Sequence, residues 1–157
     1  MDEKDLQILS ILQADARASN ADVARRVGIA ASAVLERIRK LERRGVLLGY
    51  EARISPAAVD QGILAFVSVL AEEGPGEGST ARLLAEIPEI QEVHQVAGED
   101  CYLIKLRCAS TEALGRLLRD EIGAIPAVRR TKTTIVLATE KESTRLKLRV
   151  VGVERGR

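Results

Sequence analysis

Apolar residues recur at helical spacing through the first third of the chain, then in short runs and alternations. Asp5 to Gln13 sets Leu6, Leu9 and Leu12 on one side of a helix, and Ile8 and Ile11 widen that face. After the polar break Asp15-Ala16-Arg17-Ala18, Ser19 and Asn20 offer an N-cap for a short helix over Ala21 to Val27. Its inward set is Val23, Ala24 and Val27, and Gly28 stops it, being the residue that most easily turns left-handed. A third helix runs from Ala31 to Arg44 with Val34, Ile38 and Leu41 inward and Gly45 as its stop. Two helices joined by a short glycine-containing turn, behind a third that packs on them, make a helix-turn-helix. Val46 to Ile54 has β character and supplies a wing at Gly49-Tyr50-Glu51-Ala52-Arg53, until Ser55-Pro56 breaks it.

From Gly62 the pattern changes. Ile63 to Leu70 reads as a strand, Glu73 to Gly78 as a loop, and Thr80 to Glu86 as a helix ending before Pro88. Glu92 to Val96 and Tyr102 to Arg107 are strands around the loop Gly98-Glu99-Asp100, and Thr111 to Ile122 is a helix closed by Gly123 and Pro126. Thr131 to Ala138 is the last clear strand. The order β-α-β-β-α-β predicts a ferredoxin-like sandwich, so the fold class is α+β. The expected organisation is a winged helix-turn-helix over residues 1–54, a linker over 55–62, and a ligand-binding and oligomerisation domain over 63–140. In the tail, 141–157, Leu146, Leu148 and Val150 alternate with Lys147 and Arg149 as an extra edge strand would.

Composition narrows the function. With 46% hydrophobic and 30% charged residues in 157, the chain has globular composition, enough for one ordinary domain or two small ones. The longest apolar runs, such as Ile63-Leu64-Ala65-Phe66-Val67, fall short of the ~20 residues that cross a bilayer, so no membrane partner is expected. The mixed, mostly acidic opening Met1-Asp2-Glu3-Lys4-Asp5 lacks a secretory pattern, and two cysteines fit a reducing cytoplasm. Two cysteines and one histidine argue against a metal site, and no cofactor signature is present. With no tryptophan and 2% aromatics, recognition of single strands by base stacking is disfavoured. Net charge is only +1, so any electrostatic argument has to be local.

The third helix supplies that argument. Opposite its apolar stripe project Ser32, Glu36, Arg39, Lys40 and Arg43, with Arg37 and Arg44 on one flank. A charged helix face standing alone usually means solvation. As the second helix of the pair, however, this one is placed to enter a DNA major groove, about 12 Å wide, where Arg or Lys reads guanine edges. Which of Arg39 and Lys40 reads a base and which a phosphate stays open. Ser19 and Asn20 head the preceding helix, whose first amides can receive a phosphate, and Arg17, Arg25 and Arg26 lie nearby in sequence.

Taken in order, several segments resemble the Lrp/AsnC (leucine-responsive/asparagine-responsive) family of prokaryotic transcriptional regulators. They are Asp2-Glu3-Lys4-Asp5-Leu6-Gln7-Ile8-Leu9, Ala18-Ser19-Asn20-Ala21-Asp22-Val23-Ala24 and Val34-Leu35-Glu36-Arg37-Ile38-Arg39-Lys40-Leu41-Glu42. Gly45-Val46-Leu47-Leu48-Gly49-Tyr50, Val96-Ala97-Gly98-Glu99-Asp100-Cys101-Tyr102-Leu103 and Thr131-Lys132-Thr133-Thr134-Ile135-Val136-Leu137 complete the match, which spans essentially the whole chain. The resemblance implies an amino-acid-responsive regulator of double-stranded DNA that forms homodimers through its sheets, and from them tetramers or octamers. It places the effector against Gly98, Glu99, Asp100, Cys101 and Tyr102 and against Thr131 and Thr133. An α-amino acid needs acceptors for its ammonium and N–H or hydroxyl donors for its carboxylate, and Thr131 and Thr133 share one strand face.

Two departures from the family pattern stand out. Cys101 occupies the acidic position of Gly-x-x-Asp-Tyr, which removes a charge-bearing acceptor. Ala30-Ala31 replaces a frequent Ser-Pro ahead of the third helix, and a missing cap costs about 1 kcal/mol. Two other functions share this architecture: an enzyme like the sirohaem decarboxylases, and a ligand sensor that does not bind DNA. The enzyme would need proton donors, yet the only histidine, His94, stands inside a strand, and no nucleophile–base pair or phosphate loop is present.

Overall fold

Three helices carry the first compact unit of the computed structural model, which describes residues 1–73, 78–99 and 101–149. They are α1 (Glu3–Ala14), α2 (Asn20–Val27) and α3 (Ala31–Arg43). α1 starts two residues before its apolar pattern because a capping box forms: the Asp2 carboxylate accepts the Asp5 N–H at 2.9 Å, and the Asp5 carboxylate accepts the Asp2 N–H at 3.1 Å. Ser19, not Asn20, caps α2, its hydroxyl accepting the Asp22 N–H at 3.1 Å, so Asn20 becomes the first helical residue. Gly28 ends α2 with φ 72°, as the stop required. Ala30 offers α3 no side-chain cap. The shared core is Ile8, Ile11, Leu12, Val23, Val27, Val34 and Ile38, whereas Leu6 is only half-buried.

The expected wing does not form, since residues 46–55 contain no strand. A strand needs a neighbour to complete its ladder, and here the Val46 and Leu47 amides turn back onto the Leu41 carbonyl at 2.9 and 3.3 Å and close the end of α3. Leu48 is left 90% exposed. A 3₁₀ turn, Pro56–Val59, opens the second unit, Ile54–Lys141.

That unit is β1 (Ile63–Ala71), α4 (Ser79–Ala85), β2 (Ile90–Gln95), β3 (Tyr102–Cys108), α5 (Thr111–Arg116) and β4 (Val128–Ile135). The sheet order is β2-β3-β1-β4 with every neighbour antiparallel, the expected ferredoxin-like arrangement. Ala65, Val67 and Val69 of β1 join Ile104 and Leu106 of β3 under Leu84, Leu114, Leu117 and Ile122. The helix expected to run unbroken to Ile122 widens into a π-type turn over Leu117–Ile122. β4 starts three residues earlier than its β-formers, because β1 runs to Ala71 and gives Arg130 a partner in Leu70. Pairing outweighs the weak strand preference of two arginines.

The expected edge strand is absent from residues 141–149, which carry no regular structure, and Val150 with the rest of the tail lies outside the described residues. From Glu142 it belongs with Met1–Arg53 rather than with the sheet. The backbone of Leu146, which a sheet would have paired, is met by the side-chain amide of Gln13 instead. Among the described residues no helix is long and apolar enough to cross a membrane.

Candidate nucleic-acid interface and effector loop

The apolar stripe of α3 determines what its other face can do. Val34, Ile38 and Leu41 are buried to 0%, 7% and 1% exposure, which pins the rotation of the helix. Ser32, Glu36, Arg39, Lys40 and Arg43 are consequently all exposed on the outer side. Arg39 reaches Glu36 at 3.4 Å, a loose surface pair of little worth that a stronger partner can displace. A groove of about 350 Å³ joins Asn20 and Ala16 to Arg39, Glu42 and Tyr50, so the head of α2 and the basic face of α3 are contiguous. Tyr50, whose hydroxyl donates to Glu42 at 3.1 Å, folds back onto α3 where the wing was expected.

Arg37 departs from this set. Its Nη1 donates to both Asp2 oxygens at 2.9 and 2.7 Å and to Asp5 Oδ1 at 2.7 Å, tying α3 to the cap of α1. The Asp5 N–H and then Arg37 hold the Asp2 carboxyl below its usual range, while Asp2 and then Asp5 raise the Arg37 guanidinium further. Sequence spacing sets Arg37 on the flank of the helix but could not show its capture, because Asp2 and Asp5 belong to the start of another helix.

The loop expected to meet the effector is a strand connection with three distinct environments. Gly98 adopts φ 138°, reserved in practice for glycine, but a Cβ there would meet nothing within 4 Å, so torsion rather than close approach requires it. Glu99 is exposed, and Asp100 lies outside the described residues. The Cys101 N–H donates to Val69 at 3.0 Å and its thiol to the Ala71 carbonyl at 3.1 Å, so the side chain packs on the sheet core. Tyr102 is buried, with its hydroxyl donating to Glu73 at 2.8 Å. Thr131 pairs with Val69 and Thr133 with Val67, both half-buried. Cys101 and Thr131 therefore meet β1 at the same residue from opposite sides, and Thr133 lies farther along the strand.

Glu73 is the residue that sequence reasoning missed. Besides Tyr102 it accepts the Thr80 N–H at 2.6 Å and the Ser79 hydroxyl at 3.0 Å, linking the end of β1, the start of α4 and the start of β3. Thr80, then Tyr102 and Ser79, hold its carboxyl at about 2, and Glu73 with burial pushes the Tyr102 phenol up to about 12. The Thr80 hydroxyl faces the same carboxylate without hydrogen-bond geometry, and among the described residues it is the one buried side-chain oxygen without a partner. The available signal was an acid shortly before Ser79-Thr80 at a helix start. His94, on β2, lies 3.2 Å from Glu92, which Lys105 also reaches at 3.2 Å.

Comparison with known proteins bears on both units of the chain. The family model of the AsnC-type helix-turn-helix domain matches residues 1–42, and that of the Lrp/AsnC ligand binding domain matches residues 64–146. The chain is 40% identical over 149 residues to the transcriptional regulator FL11 of Pyrococcus horikoshii, covering 95% of this chain and 97% of that one. It is 37% identical over 150 residues to the leucine-responsive regulatory protein of Escherichia coli, covering 93% and 90%. The feast or famine regulatory protein of M. tuberculosis, solved in complex with L-methionine, superposes with a TM-score of 0.86 at 37% identity over 92% of this chain and 97% of that one.

Proposed function

The chain belongs to the Lrp/AsnC family of transcriptional regulators, and from that premise we propose that it reads double-stranded DNA with α3 and answers to an amino acid or related metabolite. One observation carries the first half: a cationic helix face, exposed from Ser32 to Arg43, stands directly over a fully buried apolar stripe in the second helix of the pair. Such a face meets base edges in the major groove while its neighbours hold phosphates. Arg39, Lys40 and Arg43 supply the cations, Ser32 and Glu36 the further hydrogen-bonding groups, and Asn20 a backbone contact at the head of α2. Arg37 takes a positioning role instead.

The amino-acid effector is supported by relatives that answer to leucine or hold L-methionine. Gly98 to Tyr102 and Thr131 with Thr133 form its proposed contact set. Within it Cys101 contributes packing rather than charge, since its thiol is engaged with the Ala71 carbonyl. The relatives are named as regulators, which supports regulation rather than catalysis. We place the protein in the cytoplasm as a homo-oligomer.

Mobility-shift titration of bound genomic fragments tests the reading. Arg39→Ala or Lys40→Ala weakens binding by about 1–3 kcal/mol if the residue reads a base, or flattens the salt slope by about 0.9 if it holds a phosphate. Unchanged affinity in both variants refutes the docking face. Repeating the titration with L-leucine and with L-methionine reads the effector response.

A further inference from the structure

The tail carries cations that the roles above leave unused. From Glu142 to Arg149 it reads Glu-Ser-Thr-Arg-Leu-Lys-Leu-Arg, which sets Arg145, Lys147 and Arg149 against a single acid. A short cationic segment ordinarily stays mobile, because little offsets the entropy of ordering long side chains. This one is strapped down. Gln13 Oε1 accepts the Leu146 N–H at 2.7 Å, and Gln13 Nε2 donates to the Leu146 carbonyl at 3.3 Å. The Arg145 guanidinium donates to the Ala14 carbonyl at 3.2 Å, at the negative end of the α1 dipole, and Arg53 donates to the Glu142 carbonyl at 3.0 Å. Lys147 and Arg149 remain exposed, with no ion pair among the described residues.

The place of attachment identifies the partner. Gln13 and Ala14 end α1, and the turn that follows leads straight to Ser19 and Asn20 at the head of α2. In a helix-turn-helix this first helix of the pair crosses the DNA backbone. The groove lined by Ala16, Ala18, Asn20 and Arg39 makes that edge continuous with the basic face of α3. The tail is thus tied to the end of α1 from which the chain leads into that edge, and it brings two uncommitted cations.

We propose that the tail is a second DNA-contacting element, in which Lys147 and Arg149 hold duplex phosphates flanking the groove that receives α3, independently of base sequence. This deepens the reading of α3 as the DNA-docking helix and rests on it. Three of the four strap bonds go to the tail backbone and the fourth engages Arg145, which fixes the path of the chain and leaves Lys147 and Arg149 outward.

Fluorescence anisotropy of the full chain on a mixed-sequence duplex and on a selected genomic fragment, over a range of salt, tests the proposal. For Lys147→Ala/Arg149→Ala the slope of log affinity against log salt becomes shallower by about 0.9 per phosphate relinquished, near 1.8 per chain for two, with the same loss on both duplexes. Gln13→Ala, which changes no charge, also weakens binding while leaving the thermal melt of the double variant as its folding reference. An unchanged slope and affinity in the double variant overturns the tail contact. If Arg39→Ala or Lys40→Ala still weakens binding in that case, the docking of α3 survives; if those two are silent as well, it falls too. A tail effect with Arg39→Ala and Lys40→Ala both silent overturns the docking of α3 and, with it, the placement of the tail beside the groove that receives that helix.

Discussion

A side chain's role here depends on which partners reach it first. Arg37 and Arg39 are two residues apart on one basic helix, yet Arg37 is drawn to Asp2 and Asp5 while Arg39 keeps only the loose Glu36 pair. Arg37→Ala strands the nearly buried Asp5 carboxylate, and we expect a loss of about 1–2 kcal/mol in urea unfolding with the salt slope of DNA binding unchanged. A flattened slope would return Arg37 to the DNA-contacting set. Glu73 makes the corresponding point in the sheet unit. Its folded-state carboxyl titrates at about 2 against an ordinary 4.5, so its stabilisation is complete above 4.5 and vanishes as pH falls through 2. Glu73→Gln is expected to flatten the acid limb of stability across that window. It should also return the Tyr102 phenol from about 12 towards 10, so that the alkaline loss of stability in that interval shrinks to the part that burial sustains. Unfolding midpoints against pH, with ultraviolet titration of tyrosinate, measure both.

Elements follow local rules until backbone pairing intervenes. The helices of the first unit were legible because amphipathic spacing, Ser19 and Gly28 act within a few residues of each other. Residues 46–55 and 141–149 form no strand, because alternation records only side chains that favour a ladder, not a neighbour to complete one. Val46 and Leu47 close α3 instead, and Leu146 is satisfied by one glutamine. The π-type turn after α5 shows the same limit. The Gly123 N–H reaches the Leu118 carbonyl at 2.9 Å, and a Cβ on Gly123 would lie 2.9 Å from both the Arg119 and Leu118 carbonyl oxygens. Gly123→Ala therefore costs about 1–3 kcal/mol through forced backbone movement, measurable as a lowered thermal midpoint. A neutral or stabilising result would mean that the turn reverts to ordinary α-helix.

At the scale of the molecule, the sheet is half covered. Helices bury the Val67 and Val69 face, while Phe66 stays 37% exposed on the other, opposite Lys105 and Thr134 and near the half-buried Leu70 and Leu103. An apolar strip rimmed by charge suits a self-complementary contact between two copies. The wild type is expected to sediment as a dimer or larger at micromolar concentration and Phe66→Glu towards monomer; an unshifted variant would place the contact elsewhere. Amphipathic period, caps and strand order determined the three helices, the α+β class and the cationic face of α3, because those properties are set between residues close along the chain. The loss of Arg37 to an ion pair, the inward thiol of Cys101, the Glu73 hub and the strapped tail were decided by tertiary structure alone. Each joins residues remote in sequence, and hydrogen bonds and ion pairs act over a few ångströms of space, whatever the length of chain between the partners.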